Sequence, residues 1–404
     1  MHLAICTQYY PPEVGAPQNR LSELARLFVL SGHRVTVLTA MPNYPTGKVH
    51  SGYGGFWCRE NVGGVNILRS AIYPTQSTGF LKRLASYFSF VLSSAVVGTV
   101  LLRRADFLMV ESPPLFLGLA GFWLSRVKRS RLIFNVSDLW PESAVQLGFV
   151  ARGSAMHKLS SWLESFCYRH SWLVSGQSKS IVADIHARFP SCQTYHLSNG
   201  VDINRFVKRD NSKDREVLGL NGDCVALYAG LHGAAQGLNQ VLDAAEALIR
   251  EKGLRFVLVG DGPEKKLLAD AARERGLKNI EFLAPILATE MPALIGAADI
   301  ILVPLKSYIS GAVPSKLYEA MASGKPVVLV ASGEAAEIVR EHRAGLTVDP
   351  GDVDGLIKAV KTLANEPQSR REFGDNGRRA AEQYFSRETL VNGFRELLEK
   401  AVGS

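Results

Sequence analysis

Two kinds of segment alternate along these 404 residues, and that alternation constrains the fold more than any other feature. Nearly continuous apolar runs of strand length occupy residues 3–6, 35–38, 107–110 and 132–136, then 224–229, 256–259, 300–303 and 327–330. Runs of this kind suit parallel strands buried on both faces, because a strand with one wet face alternates apolar with polar residues. Between them lie stretches such as 238–252 and 264–275, whose apolar residues recur at i, i+3, i+4 and i+7 and so predict amphipathic helices. Strand–helix alternation means α/β with parallel sheets. Because it runs through both halves, the sequence predicts two Rossmann-like, doubly wound parallel-sheet domains facing across a cleft, at 1–196 and 197–375. Helices over 376–404 are expected to pack back toward the N-terminal domain. The boundary is placed at Ser198-Asn199-Gly200-Val201-Asp202, where Asn-Gly turn chemistry precedes the charged stretch 208–216.

Charge separates the halves. Residues 1–196 hold 19 Lys and Arg against 9 Asp and Glu, a net +10, while the remainder is −2. The basic half is expected near phosphates or anionic lipid. No arginine-rich run interleaves with aromatics and no zinc-finger or helix-turn-helix spacing is present, which argues against nucleic acid. Five scattered cysteines without C-x-x-C spacing argue against a disulfide framework and suit a reducing cytoplasm. The N-terminus Met1-His2-Leu3-Ala4-Ile5-Cys6 lacks a basic region ahead of its apolar run and reads as a buried first strand rather than a signal peptide.

Residues 84–102 are nineteen positions without a charge, bracketed by Lys82-Arg83 and Arg103-Arg104. The length just suffices to cross a bilayer. A span would tear one α/β unit apart, and basic flanks on both sides give no inside–outside asymmetry. Two readings stay open: a buried crossover helix, or an apolar face with a basic rim lying on a membrane surface. Residues 115–124, followed by Arg126, Lys128, Arg129 and Arg131, repeat the combination.

Candidate chemistry concentrates in few places. Gly15, between the first strand and a helix, either makes a tight turn or admits an anion at the helix N-terminus. Gly260-Asp261-Gly262-Pro263 reads most simply as a turn into a helix. The segment Ser310 to Val328 says more. Pro314 can open a helix whose first free N–H groups belong to Ser315, Lys316 and Leu317. Lys316 opposes the dipole of its own helix unless an anion is bound, which fits a phosphate site. Glu319 lies one turn on, on the same face, where its carboxylate can accept from a ribose diol or merely pair with Lys316. Asp352-Val353-Asp354 has the D-x-D form of a sugar-nucleotide metal motif, but Asp352 precedes a helical pattern and reads as its N-cap, so no metal site is expected. Glu111 closes a strand and is read as structural in preference to acceptor-facing.

Together, Gly200-Val201-Asp202 with Phe206, Tyr228-Ala229-Gly230, Gly260-Asp261-Gly262-Pro263, Ala298-Asp299 and Glu319-Ala320-Met321-Ala322-Ser323-Gly324-Lys325-Pro326-Val327 resemble family 4 glycosyltransferases of GT-B fold. Tyr10-Pro11-Pro12-Glu13, Pro42-Asn43-Tyr44-Pro45, Ser137-Asp138-Leu139-Trp140-Pro141-Glu142-Ser143 and Pro314-Ser315-Lys316-Leu317-Tyr318-Glu319 resemble the branch that builds bacterial surface polysaccharides such as O-antigen, closest to N-acetyl-L-fucosamine transferases. The resemblance implies retaining transfer from a nucleotide diphosphate sugar to a lipid-diphosphate-linked sugar, with no metal or other cofactor required. It places the enzyme in the cytoplasm, on the inner face of the plasma membrane. It implies that Glu319 holds the ribose, that Lys316 and the turn at Pro314 and Ser315 hold the diphosphate, and that Gly15 approaches it. The backbone near Pro285-Ile286 would meet the base, Gly230 would line the donor, His232 in its Gly-flanked loop would either contact the ligand or sit in a solvated turn, and Asp138 would occupy an acidic position in the N-terminal domain. Three positions depart from the family pattern: Gly311 stands where a first glutamate is usual, Ser137 where a histidine is usual, and 231–237 lacks the usual Arg and Lys. A nucleotide-sugar 2-epimerase of the same fold and a non-catalytic membrane-recruited scaffold are the alternatives.

Overall fold

The structure, a computed structural model, describes residues 1–13, 15–44, 46–75, 80–146, 148–208, 215 and 222–403. Pro45, in the second of the quoted motifs, and most of the charged stretch 208–216 lie outside the described residues. The chain divides into two compact units, Met1–Ser198 with Leu390–Ser404, and Asn199–Thr389.

The first unit is built on an eight-stranded sheet. Its strands are β1 (His2–Cys6), β2 (Arg34–Ala40), β3 (Trp57–Val62), β4 (Val65–Ser70), β5 (Phe107–Ser112), β6 (Arg131–Val136), β7 (Leu173–Gly176) and β8 (Thr194–His196), in spatial order β3-β4-β2-β1-β5-β6-β7-β8. All neighbours are parallel except β3 against β4, an antiparallel hairpin turned by Gly63-Gly64. All of β1 and β5 is buried, as continuous apolar strands require. The second unit carries β9 (Cys224–Ala229), β10 (Leu254–Val259), β11 (Ile280–Leu283), β12 (Ile300–Pro304), β13 (Val327–Val330) and β14 (Gly345–Val348), all parallel, in order β11-β10-β9-β12-β13-β14. That is the doubly wound order, whose direction reverses between β9 and β12. Ligands of such sheets bind beyond the strand C-termini at the reversal, which in this unit is where Gly230 and the segment after Pro304 emerge. In the first unit the reversal falls between β1 and β5.

The C-terminal segment is two helices, Pro367–Tyr384 and Arg387–Gly403. Val391, Phe394 and Leu398 of the last one are buried in the core of the first unit with Leu21 and Phe28. The helix Phe80–Leu101 connects β4 to β5 and packs on their sheet, with Phe90, Ser94 and Val97 inside. It is a crossover helix, though not a wholly buried one. By length and composition its segment Leu84–Leu101 could cross a membrane, yet only 39% of it is buried. Its serines are spent inward: Ser93 Oγ donates to the Ala71 carbonyl at 2.5 Å, and Ser89 Oγ accepts from the Tyr73 amide at 2.8 Å. Leu92, Val96 and Val100, at i, i+4 and i+8, stay exposed.

Candidate active site

In the second unit the site starts from the helix Ser315–Ala322. Five of its eight residues are buried; Ser315, Lys316 and Glu319 keep open surface, and helical spacing puts those three on one face. Pro314 precedes it in extended conformation, with no side chain capping the N-terminus and no acidic residue in the first turn. One sequence expectation is corrected here. The Leu317 amide donates to the Pro314 carbonyl at 3.0 Å and the Leu317 side chain is fully buried, so Leu317 has no donor left for a ligand. The amides of Ser315 and Lys316 remain at the helix start.

Lys316 lies along Gly230. A Cβ at Gly230 would collide with Lys316 Cε, and the Gly230 φ of 150° is one L side chains rarely adopt. The ammonium sits 5.4 Å from the centroid of the buried Tyr228 ring, whose hydroxyl donates to the Leu231 carbonyl at 2.6 Å. The side chains of Lys316 and Glu319 have no hydrogen-bond or ion-pair partner among the described residues. Both lie deep among neighbouring atoms while keeping some open surface. Burial lowers the pKa of Lys316, opposed by Glu319; burial raises that of Glu319, opposed by Lys316, Arg387 and Arg205. Two charges crowded yet unpaired cost stability, and such groups cluster where a ligand completes them.

The loop over β9 is rigid for a reason the sequence did not show. Gly260 and Gly262 are more than a turn: a Cβ on Gly260 would strike the Gly230 carbonyl, and one on Gly262 would strike that of His232. The backbones bond instead, His232 N–H to the Asp261 carbonyl at 2.8 Å and Glu264 N–H to the His232 carbonyl at 3.0 Å. His232 is 0% exposed, held by Gly230 O at 3.1 Å and flanked by the rings of Tyr228 and Phe282. The solvated-turn alternative therefore fails. So does its use as a cation, because burial and then Lys265 lower its pKa and keep it neutral at pH 7. Ile286 is half-buried against the same core as Leu317 and Val313. Gly311 has a φ of 78° in the loop ahead of Pro314 and offers no carboxylate. Asp352 caps its helix, accepting from the Gly355 amide at 2.8 Å, as the sequence suggested.

In the first unit Asp138 follows β6, and its carboxylate has no hydrogen-bond or ion-pair partner among the described residues. Burial raises its pKa first, the Glu111 charge second, and Arg20 opposes both. Around it lies a network that sequence reasoning missed. Arg20, on the helix Ala16–Leu30, pairs with Glu111 at the end of β5 at 2.5 Å, both nearly inaccessible. Glu111 also accepts from Asn135 Nδ2 at 2.6 Å and from the Ser137 hydroxyl, and Ser137 accepts from Gln177. Glu111 is thus structural, as read, and Ser137 serves as a junction beside Asp138. Its ion pair spans 91 positions, a separation no local pattern reveals.

Gly15 has φ 171°, an extended conformation open to any residue, so a tight-turn requirement does not explain it. A Cβ there would meet the Gln18 amide. Two motifs quoted above prove to be neighbours: buried Glu13 accepts from the Asn43 and Tyr44 amides, both at 2.8 Å, tying the loop after β1 to that after β2.

With this geometry in view, comparisons with known proteins become informative. The glycosyl transferase 4-like domain matches residues 15–197, and the glycosyl transferases group 1 family matches residues 210–380. The Escherichia coli (strain K12) protein WcaI, named for colanic acid biosynthesis glycosyl transfer, is 26% identical over 397 residues, covering 95% of this chain and 96% of its own. The O-antigen chain mannosyltransferase C of Escherichia coli is 26% identical over 176 residues, 43% of this chain and 46% of that protein. Among solved structures, Anabaena Alr3699/HepE in complex with UDP-glucose superimposes with a TM-score of 0.76 at 19% identity, covering 99% of this chain and 100% of that one. The chain is a glycosyltransferase of GT-B fold, a glycosyl transferase 4-like domain followed by a glycosyl transferases group 1 domain.

Proposed function

We propose that this protein transfers a sugar, of the N-acetylated deoxy-amino type, from a nucleotide diphosphate sugar to a lipid-diphosphate-linked sugar during surface-polysaccharide assembly, with retention and without a metal. The observation that carries the reading is the unpaired Lys316 and Glu319 beside an uncapped helix start. In this reading the diphosphate lies against the Lys316 ammonium and the Ser315 and Lys316 amides, and Glu319 accepts from the ribose diol. As the glycosidic bond breaks, negative charge grows on the departing diphosphate, and a fixed cation and helix dipole stabilise it without reorganising. The UDP-glucose held by the Anabaena relative and the polysaccharide names of the two Escherichia coli relatives support donor class and pathway. From the first unit, Asp138 and Gly15 are the residues proposed to take part in transfer. The site of action would be the cytoplasmic face of the membrane, which the exposed Leu92, Val96 and Val100 support.

The test is nucleoside diphosphate release from purified protein across a panel of nucleotide sugars, with and without undecaprenyl-diphosphate-linked sugar in detergent. Release requiring both partners is expected. Conversion of donor without acceptor would mean an epimerase, and no donor binding by folded protein would mean a scaffold.

A further inference from the structure

At the other end of the first unit's sheet, where β6 and β7 begin, four arginines surround an open basin of about 460 Å³. Arg126 and Arg129 come from the end of the helix Leu117–Lys128, Arg131 from the start of β6, and Arg169 from the end of the helix Ala155–His170. Basic residues in a last helical turn have an ordinary use, since they complement the helix dipole. Convergence of four on one basin goes beyond it. None has an ion-pair partner among the described residues and all four are exposed, although the Arg131 guanidinium donates to the Ala401 carbonyl and lies over the Trp172 ring. The nearby acid Asp106 is taken by the His2 amide, and Glu164, on one of these helices, is taken by Arg188. Guanidinium groups gathered without counter-charge repel one another and favour a polyvalent anion, and their planar forks suit phosphate oxygens.

The surroundings say where that anion comes from. An aromatic ladder runs from exposed Trp162 through Phe166 and His170 to Phe122, over which Arg126 lies at 5.1 Å. Exposed Trp123, hydrogen-bonded to Thr99, and Val127 continue the apolar surface of Leu92, Val96 and Val100. Tryptophans beside unpaired arginines match the boundary between acyl chains and phosphates. The basin lies a strand's length from Asp138, about 20 Å along β6, so these charges do not serve the transfer site.

We propose that this basin is a seat for the phosphate of an anionic phospholipid headgroup, separate from the site of sugar transfer. It rests on the reading of the protein as one that works at a membrane surface. The test is co-sedimentation of the full chain with vesicles of phosphatidylcholine alone or mixed with phosphatidylglycerol, at several salt concentrations. Binding that needs phosphatidylglycerol and fades with salt is expected, with R126E/R169E weakening it at least about tenfold and R126Q/R169Q less. R59E, a charge reversal on exposed Arg59 of β3, should change it little. Equal binding to both vesicles, or equal loss in R59E, would overturn the seat. Inorganic diphosphate raising the melting temperature of wild type but not of R126Q/R169Q, without vesicle binding, would make it a soluble-anion site and overturn the lipid assignment. Both double variants should keep turnover on detergent-dissolved acceptor. Absent turnover in every protein, with vesicle binding intact, would sink the transferase reading and leave the seat standing.

Discussion

At the end of β5, Glu111 takes Arg20, Asn135 and Ser137, whereas at the start of the helix Ser315–Ala322, Lys316 and Glu319 take nothing. Both regions put buried charge at the C-terminal end of a parallel sheet, where doubly wound folds bind ligands. The first is already neutralised by protein groups and holds the loop carrying Asp138; the second is left for a ligand to complete. Substitutions should therefore separate stability from binding, with opposite balances in the two units.

The largest effects are expected in the second unit. Lys316→Ala should lower kcat/KM by about 10²–10³, the size of losing one group aimed at developing charge, and Glu319→Ala by about 10–10², the size of losing a charged hydrogen bond to the ribose. Melting temperature should hold or rise, because each removes a charge that has no partner in the free protein. A variant with full activity at low donor concentration would break the comparison. In the first unit the order reverses. Arg20→Ala strands the buried Glu111 carboxylate and should cost about 3–5 kcal/mol in urea unfolding. The double variant R20M/E111L should regain much of that stability without regaining turnover, since Ser137 and the Asp138 loop lose their tether.

Gly230→Ala sharpens the boundary between the two behaviours. Its methyl group meets Lys316 Cε and its backbone is strained, so about 1–3 kcal/mol of stability should go together with donor affinity. The pH profile of kcat/KM adds a signed test. Binding needs Glu319 ionised and Lys316 protonated; the raised pKa of the first puts the acid limb above 4.5, and the lowered pKa of the second puts the alkaline limb below 10.5. Lys316→Arg, whose guanidinium stays charged, should move the alkaline limb upward. The smallest effect belongs to Asp352→Ala, which loses a cap worth about 1 kcal/mol and leaves turnover unchanged.

Much of this was legible in the chain because it rests on local chemistry. Continuous apolar runs announced eight of the strands, and Pro314 with the 315, 316, 319 spacing announced the helix face that stays open. The short strands β7, β8, β11 and β14 escaped because they have four residues or fewer, β3 because it is largely exposed, and β4 because Asn66, Arg69 and Ser70 interrupt its apolar residues. In the site, local reasoning put Lys316 and Glu319 on one helix face but overcounted the free amides by Leu317, and it left His232 open between a ligand contact and a solvated turn where the fold buries it. Arg20, Tyr228 and the close approach of 230–232 to 260–262 depend on residues far apart in sequence. Burial and partnership arise only once strands are ordered in a sheet.

The central claim is that Lys316 and Glu319 are left unpaired to hold a nucleotide sugar. Calorimetric titration of wild type, Lys316→Ala and Glu319→Ala with the donor that supports turnover tests it most directly. The account predicts binding by wild type and at least about tenfold weaker binding by each variant, at unchanged or higher melting temperature. Equal affinity in all three proteins would contradict it.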